Sequence, residues 1–235
     1  MQYSSGTRRR LLLVAVSELV VTNMGYELQY MDLRARGEPV RWLLKVLKLP
    51  YTEQRIDVFT QWPLRKNDFH FKVTPVLVVD GEQLHQTTVI CRYLGKKHQL
   101  ASLDLWTATR QEEIMEAFHD ISYYVGSALV ARALGNEELA KSNAEKVKER
   151  LPVVLQNIEV RVSEEGWILS PEKTWVDVAV AAYLDIYRDI LGTTLLEDYP
   201  RTKALFEAVT GLPPIAAWLD VRPPLHKFED PEGLF

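Results

Sequence analysis

Five short stretches between residues 26 and 95 hold the side chains best suited to chemistry. Y-E-L-Q-Y ends on a phenol, Tyr30. A free phenol has a pKa near 10, so its hydroxyl stays protonated at neutral pH and can donate a hydrogen bond to an anion. R-A-R-G-E-P follows, where Arg36 can supply positive charge or fix the turn into a helix. Q-W-P-L-R-K offers an indole N–H at Trp62 and an ammonium at Lys66, a donor and a partner for a carboxylate. T-P-V-L-V-V-D-G puts Thr74 before a proline, after Lys72 and Val73. L-H-Q-T-T-V-I-C-R-Y-L puts Gln86 and Thr87 at a helix entry, where free N–H groups and partial positive charge suit a carboxylate. Each residue also has a plainer reading. Tyr30 could fill a strand as Tyr26 does, Arg36 could be a solvated charge, Trp62 and Lys66 a surface loop, Pro75 an ordinary trans proline and Thr87 a simple cap.

The elements that must position these residues follow from periodicity. Residues 26–31 alternate as a strand, with Tyr26, Leu28 and Tyr30 on one side. Pro39 suits the first turn of a helix, where its missing N–H costs nothing, and Val40, Leu43, Leu44 and Leu47 form one apolar stripe. Tyr51 to Asp57 reads as a second strand and Val76 to Val79 as a third. Asp80-Gly81 is a hairpin-turn pair, Gln83 to His85 the returning strand, and a helix starts at Thr87. The order β-α-β then β-β-α predicts a mixed sheet with helices on its faces.

After a break near residues 99–105 the pattern turns wholly helical. Ile114, Phe118, Ile121 and Val125 make one stripe; Val147, Leu151, Val154, Leu155, Ile158 and Val162 make another. T-W-V-D at 174–177 is a helix-capping signature, and the small and apolar residues after it predict a central helix of a bundle. Pro213-Pro214 open a last short helix.

In order and spacing these signals resemble the glutathione transferase family, nearest its sigma class, over roughly residues 26–224. The resemblance implies a thioredoxin-like α/β domain over 24–99, a linker over 100–105, an all-α helical domain over 106–225 and a tail over 226–235. It implies glutathione as co-substrate, a small hydrophobic electrophile as its partner, and a homodimer. Tyr30 is then the catalytic residue: its hydroxyl donates to the glutathione sulfur, and a bond to the charged form favours the thiolate over the thiol, whose free pKa is about 8.5. Arg36 stands near that tyrosine, and Trp62 and Lys66 hold the glycine end. Thr74, before a cis proline and flanked by Lys72 and Val73, pairs its backbone with the cysteinyl segment. Gln86 and Thr87 take the γ-glutamyl carboxylate, and Asp120 reaches its ammonium across the dimer interface. The second-substrate pocket is expected between Met31 and the helix near Ile121 to Val125.

This chain departs from the family pattern in places. Members often read R-G-R-A-E-P, whereas the glycine here is Gly37 and the alanine Ala35. Position 72 is more often small and 74 aliphatic, and Thr87 stands for a serine. Two other readings belong to the same resemblance. One is a sigma-class isomerase of prostaglandin-like lipids, although those members use a tryptophan where this chain has Ser127. The other is a crystallin-like structural relative without activity.

The remaining composition narrows the class. Of 235 residues, 47% are hydrophobic, which supports a true core, and a net charge of −4 argues against a nucleic-acid binder. No histidine or cysteine spacing suggests a metal site. Cys91 is the single cysteine, so no internal disulfide forms, which fits a reducing compartment such as the cytoplasm. It reads as a packed small residue, not a nucleophile. Residues 1–23 join Arg8–Arg10 to an apolar run broken by Glu18; this is signal-like, too short to span a membrane, and is read as an N-terminal extension before Met24.

Overall fold

The computed structural model describes residues 25–225 and 233–235. The expected extension over 1–23 and most of the tail over 226–235 lie outside the described residues. Four strands form a mixed sheet in the order β2-β1-β3-β4: β1 (Tyr26–Met31), β2 (Tyr51–Ile56), β3 (Val76–Val79) and β4 (Glu82–His85). β1 and β2 run parallel, joined through helix α1 (Glu38–Val46), while β3 is antiparallel to both β1 and β4. Asp80 and Gly81 both adopt positive φ (52° and 88°), the requirement of the tight hairpin between β3 and β4.

The expected single stripe on α1 proves too narrow. Every residue from Glu38 to Leu44 is buried, including Arg41 and Trp42. The helix is covered on both sides, by the sheet and by the helical region, so its polar residues must find partners inside. Glu38 accepts from Arg41 (2.9 Å) and from the indoles of Trp42 (3.0 Å) and Trp218 (2.6 Å). Arg41 also pairs with Glu53 of β2 at 2.7 Å, and these carboxylates hold its guanidinium charged against the cost of burial.

The helical region contains α4 (Leu105–Ala133), α5 (Glu137–Glu159), α6 (Trp175–Leu191), α7 (Pro200–Thr210) and α8 (Pro213–Val221), after α2 (Trp62–Arg65) and α3 (Thr87–Lys97) of the first half. Ile114, Phe118, Ile121 and Val125 are buried as one stripe of α4, and Val147, Leu151, Leu155 and Ile158 as one of α5. Val154 is only partly buried, and Val162 is buried beyond the helix end. α6 is buried almost throughout, as expected of a central helix. Its start is fixed by Asp177, which accepts from the N–H (2.6 Å) and hydroxyl (2.9 Å) of Thr174 and the N–H of Ile168 (2.8 Å). α7 carries no pattern strong enough to be placed from sequence. One continuous apolar core joins the sheet side to the bundle. Among the described residues, no single helix is long and apolar enough to cross a membrane.

Candidate functional site

The sheet topology gathers the candidate residues at one end. Antiparallel pairing of β1 with β3 stops at Gln29 opposite Val76, so the Thr74-Pro75 step arrives beside Tyr30. β4 pairs His85 with Val76, which delivers Gln86 and Thr87 to the same end. Parallel pairing sets Ile56 beside Met31, and the segment after it carries Trp62 and Lys66. Segments distant in sequence therefore meet where β1 ends.

Tyr30 is buried, and its hydroxyl accepts from the Arg36 N–H at 3.0 Å. The Arg41 guanidinium lies 5.6 Å from its ring centroid. Arg36 sits in a short 3-10 turn, Ala35–Gly37, that leads into α1. Trp62 packs on Phe69 (centroids 5.7 Å apart), and the Lys66 N–H donates to the Trp62 carbonyl, so the pair occupies successive turns of one short helical stretch. Thr74-Pro75 is cis, as the family resemblance implied. The Thr74 hydroxyl oxygen is buried without a hydrogen-bond partner among the described residues. Lys72 and Val73 are exposed beside it, Lys72 with φ of 52°. Gln86 has φ of 73° and precedes α3, whose first turn lacks a side-chain cap.

Two candidates have partners within the chain. The Thr87 hydroxyl donates to the Arg36 carbonyl at 3.0 Å, so its proton is committed within the protein, and the helix N–H groups are left as donors to an anion. Asp120 is exposed on α4 and pairs with Arg150 of α5 at 3.6 Å, away from the cavity beside Tyr30.

That cavity, of about 800 Å³, is lined by Tyr30, Ala35, Arg36 and Trp62 on one side and by Tyr123, Gly126 and Ser127 of α4 on another. Met31 and Val125 line it as expected; Ile121 instead faces the core, and the cavity runs on past it to Leu139 and Ile190. Its lining is overwhelmingly apolar, and Arg36 is the lining residue with a full charge. Such a lining suits an uncharged apolar molecule.

Sequence reading missed several supports. Arg34 donates to Asp185 (3.2 Å) and Asp189 (2.6 Å), and Arg222 also binds Asp185, which ties the β1–α1 loop to α6 and the chain after α8. The i, i+4 spacing of Asp185 and Asp189 was the available signal. Tyr187 and Ser122 share a hydrogen bond of 3.0 Å at the cavity wall, and burial pushes the Tyr187 phenol up. His119 on α4 lies near enough to Arg36 that burial and this charge together hold it below its ordinary value. Cys91 is fully buried, and burial pushes its thiol up, so it is packed and unreactive.

Comparison with known proteins agrees with this geometry. The glutathione S-transferase N-terminal domain family model matches residues 26–96, and the C-terminal domain model matches residues 119–222. A glutathione S-transferase of Anopheles gambiae is 29% identical over 199 residues, covering 84% of this chain and 97% of that protein. Hematopoietic prostaglandin D synthase of Gallus gallus is 29% identical over 206 residues, covering 84% and 96%. The solved structure of prostaglandin synthase D of Nilaparvata lugens matches with a TM-score of 0.73 at 29% identity, over 85% of this chain and 99% of that one. With both halves matched in order and the fold shared over 85% of the chain, the chain belongs to the glutathione S-transferase family.

Proposed function

We propose that this chain is a sigma-class glutathione transferase that binds glutathione at the end of β1 and conjugates its thiolate to apolar electrophiles held in the adjoining cavity. The observation that carries this reading is the placement of the Tyr30 phenol, Arg36 and Trp62 on the wall of one large apolar cavity. The phenol donates to the sulfur anion while its oxygen accepts from the Arg36 N–H. A bond to the charged form lowers the thiol pKa and raises the thiolate fraction. Trp62 and Lys66 take the glycine carboxylate, the Thr74 backbone the cysteinyl segment, with Lys72 and Val73 beside it, and Gln86 with the α3 N–H groups the γ-glutamyl end. Asp120 reaches a partner's glutathione in a homodimer. The protein works in the cytoplasm, in detoxification of such electrophiles.

A second reading, isomerisation of a prostaglandin-like lipid, is favoured by the size of the cavity and its apolar rim at Val130, Leu134 and Leu139. Ser127 on the wall, in place of a tryptophan, keeps it second. The test is turnover of an aryl halide with glutathione by the protein and by Tyr30→Phe. Loss of one hydrogen bond to an anion costs about 1.5–3 kcal/mol, roughly a ten- to hundredfold fall in kcat. A Tyr30→Phe variant as fast as the parent would end the assignment.

A further inference from the structure

The apolar cavity carries one built polar spot away from Tyr30. Phe118 and Ser122 sit one turn apart on α4, and Tyr183 and Tyr187 one turn apart on α6. The three rings stack, with centroids 5.7, 6.0 and 6.1 Å apart. All three are almost wholly buried, so packing holds the phenol oxygens in place. The Tyr187 hydroxyl meets the Ser122 hydroxyl at 3.0 Å, and Ser122, partly exposed, lines the cavity.

The protons of this pair have a direction. Burial pushes both phenols up, so each keeps its proton. A phenol is more acidic than an aliphatic alcohol, so Tyr187 donates and the Ser122 oxygen accepts. Among the described residues no backbone carbonyl takes the serine proton, which leaves the Ser122 O–H for the cavity. A hydroxyl that accepts one bond is polarised to donate another more strongly. Arg36, the charged residue of the lining, is near enough to both phenols to favour negative charge there. Deeper in, the Asn136 side chain is already taken by the Leu139 N–H at 3.1 Å. Satisfying the Tyr187 phenol alone would not require its partner to stand open to the cavity.

We infer that Ser122 is a specificity-determining hydrogen-bond donor of this cavity, oriented by Tyr187, and that it selects apolar electrophiles whose reacting carbon is conjugated to a carbonyl. The inference deepens the proposed function and rests on its thiolate at Tyr30. The sulfur forms a bond to the β-carbon of such an enone. The C=C pair shifts toward the carbonyl carbon, and the carbonyl π pair moves onto oxygen, giving an enolate. Ser122 donates to that oxygen as its charge grows. The proton that the thiol released on ionising returns through solvent to the α-carbon, and nothing leaves. Benzyl chloride reacts otherwise: sulfur displaces chloride at a saturated carbon, and no oxygen gathers charge.

The experiment measures kcat/KM, with glutathione, for benzylideneacetone and for benzyl chloride. Ser122→Ala is expected to lower the enone value by about tenfold or more and the benzyl chloride value by less than about twofold. Tyr187→Phe keeps the serine but frees its orientation, so a fall of about threefold to fivefold on the enone alone is expected. Added to Ser122→Ala, it should change the enone value little further. Benzyl chloride turnover also reports that each variant is folded. Equal losses on both electrophiles from Ser122→Ala, or none on the enone, overturn the inference. So does an enone-selective loss from Ser127→Ala in its place, and so does a Tyr187→Phe variant that slows both electrophiles alike. Tyr30→Phe separates the two readings. If it slows neither electrophile, the proposed function falls. If it slows both while Ser122→Ala spares the enone, only the present inference falls.

Discussion

The hydroxyl of Thr87 donates to the carbonyl of Arg36 at 3.0 Å, joining the start of α3 to the turn that leads into α1. The same residue, Arg36, donates its N–H to the Tyr30 hydroxyl. One residue thus bridges the phenol at the end of β1 and the helix N-terminus proposed to take the γ-glutamyl carboxylate. The two ends of the proposed glutathione site are thereby linked through one residue.

Thr87→Val tests this link. The substitution keeps the shape and removes the donor, leaving the Arg36 carbonyl without its partner. A stability loss of about 1–3 kcal/mol is expected from urea unfolding. Because the helix N–H groups remain, KM for glutathione should rise less than tenfold, while kcat falls as the Arg36–Tyr30 contact loosens. A hundredfold rise in KM would instead mean that the hydroxyl itself grips the ligand.

Glu38 joins α1 to α8. Both Glu38 and Arg41 are fully buried, and the Trp218 indole donates to Glu38 at 2.6 Å across the two halves of the molecule. Glu38→Gln removes one of the two carboxylate charges that Arg41 faces, Glu53 keeping the other, and is expected to destabilise by about 3 kcal/mol. Trp218→Phe removes one donor and leaves the pair, so about 1.5–3 kcal/mol is expected. Denaturant midpoints should fall in that order with unchanged slopes. Equal effects of the two variants would refute the ranking.

Asp177 caps α6 from a fully buried position. Asp177→Ala strips the acceptor from the N–H groups of Thr174 and Ile168 and from the Thr174 hydroxyl. With two buried N–H groups orphaned, a loss of about 3 kcal/mol or more is expected in equilibrium unfolding, and Thr174→Ala should cost less, about 1 kcal/mol.

What could be read in the sequence was what has a local cause. The strand of Tyr30, the turn at Asp80-Gly81 and the cap at Thr174 each come from residues a few positions apart. Contacts that depend on tertiary approach were not legible. The Arg34–Asp185 pair spans 151 residues, and Glu38–Trp218 spans 180. The far reach of the cavity to Ile190 depends on how α4 and α6 lie against each other, which no stripe of apolar residues encodes.

Ser127 offers a direct test of what the cavity is for. It lines the wall on α4, one helical step from Gly126, and its small side chain leaves the space of about 800 Å³ open. Ser127→Trp adds a large rigid ring on that wall while leaving Tyr30, Trp62 and the helix N-terminus at Thr87 untouched. If the cavity holds the second substrate, bulky apolar electrophiles should lose at least tenfold in kcat/KM, because overfilling a packed apolar site excludes them sterically. A small aryl halide should change by less than about threefold, and KM for glutathione should not move. Kinetics with one small and one bulky electrophile decide the matter. Equal losses for both would mean that the ring disturbs the thiolate site, and no loss for the bulky one would place its binding site elsewhere.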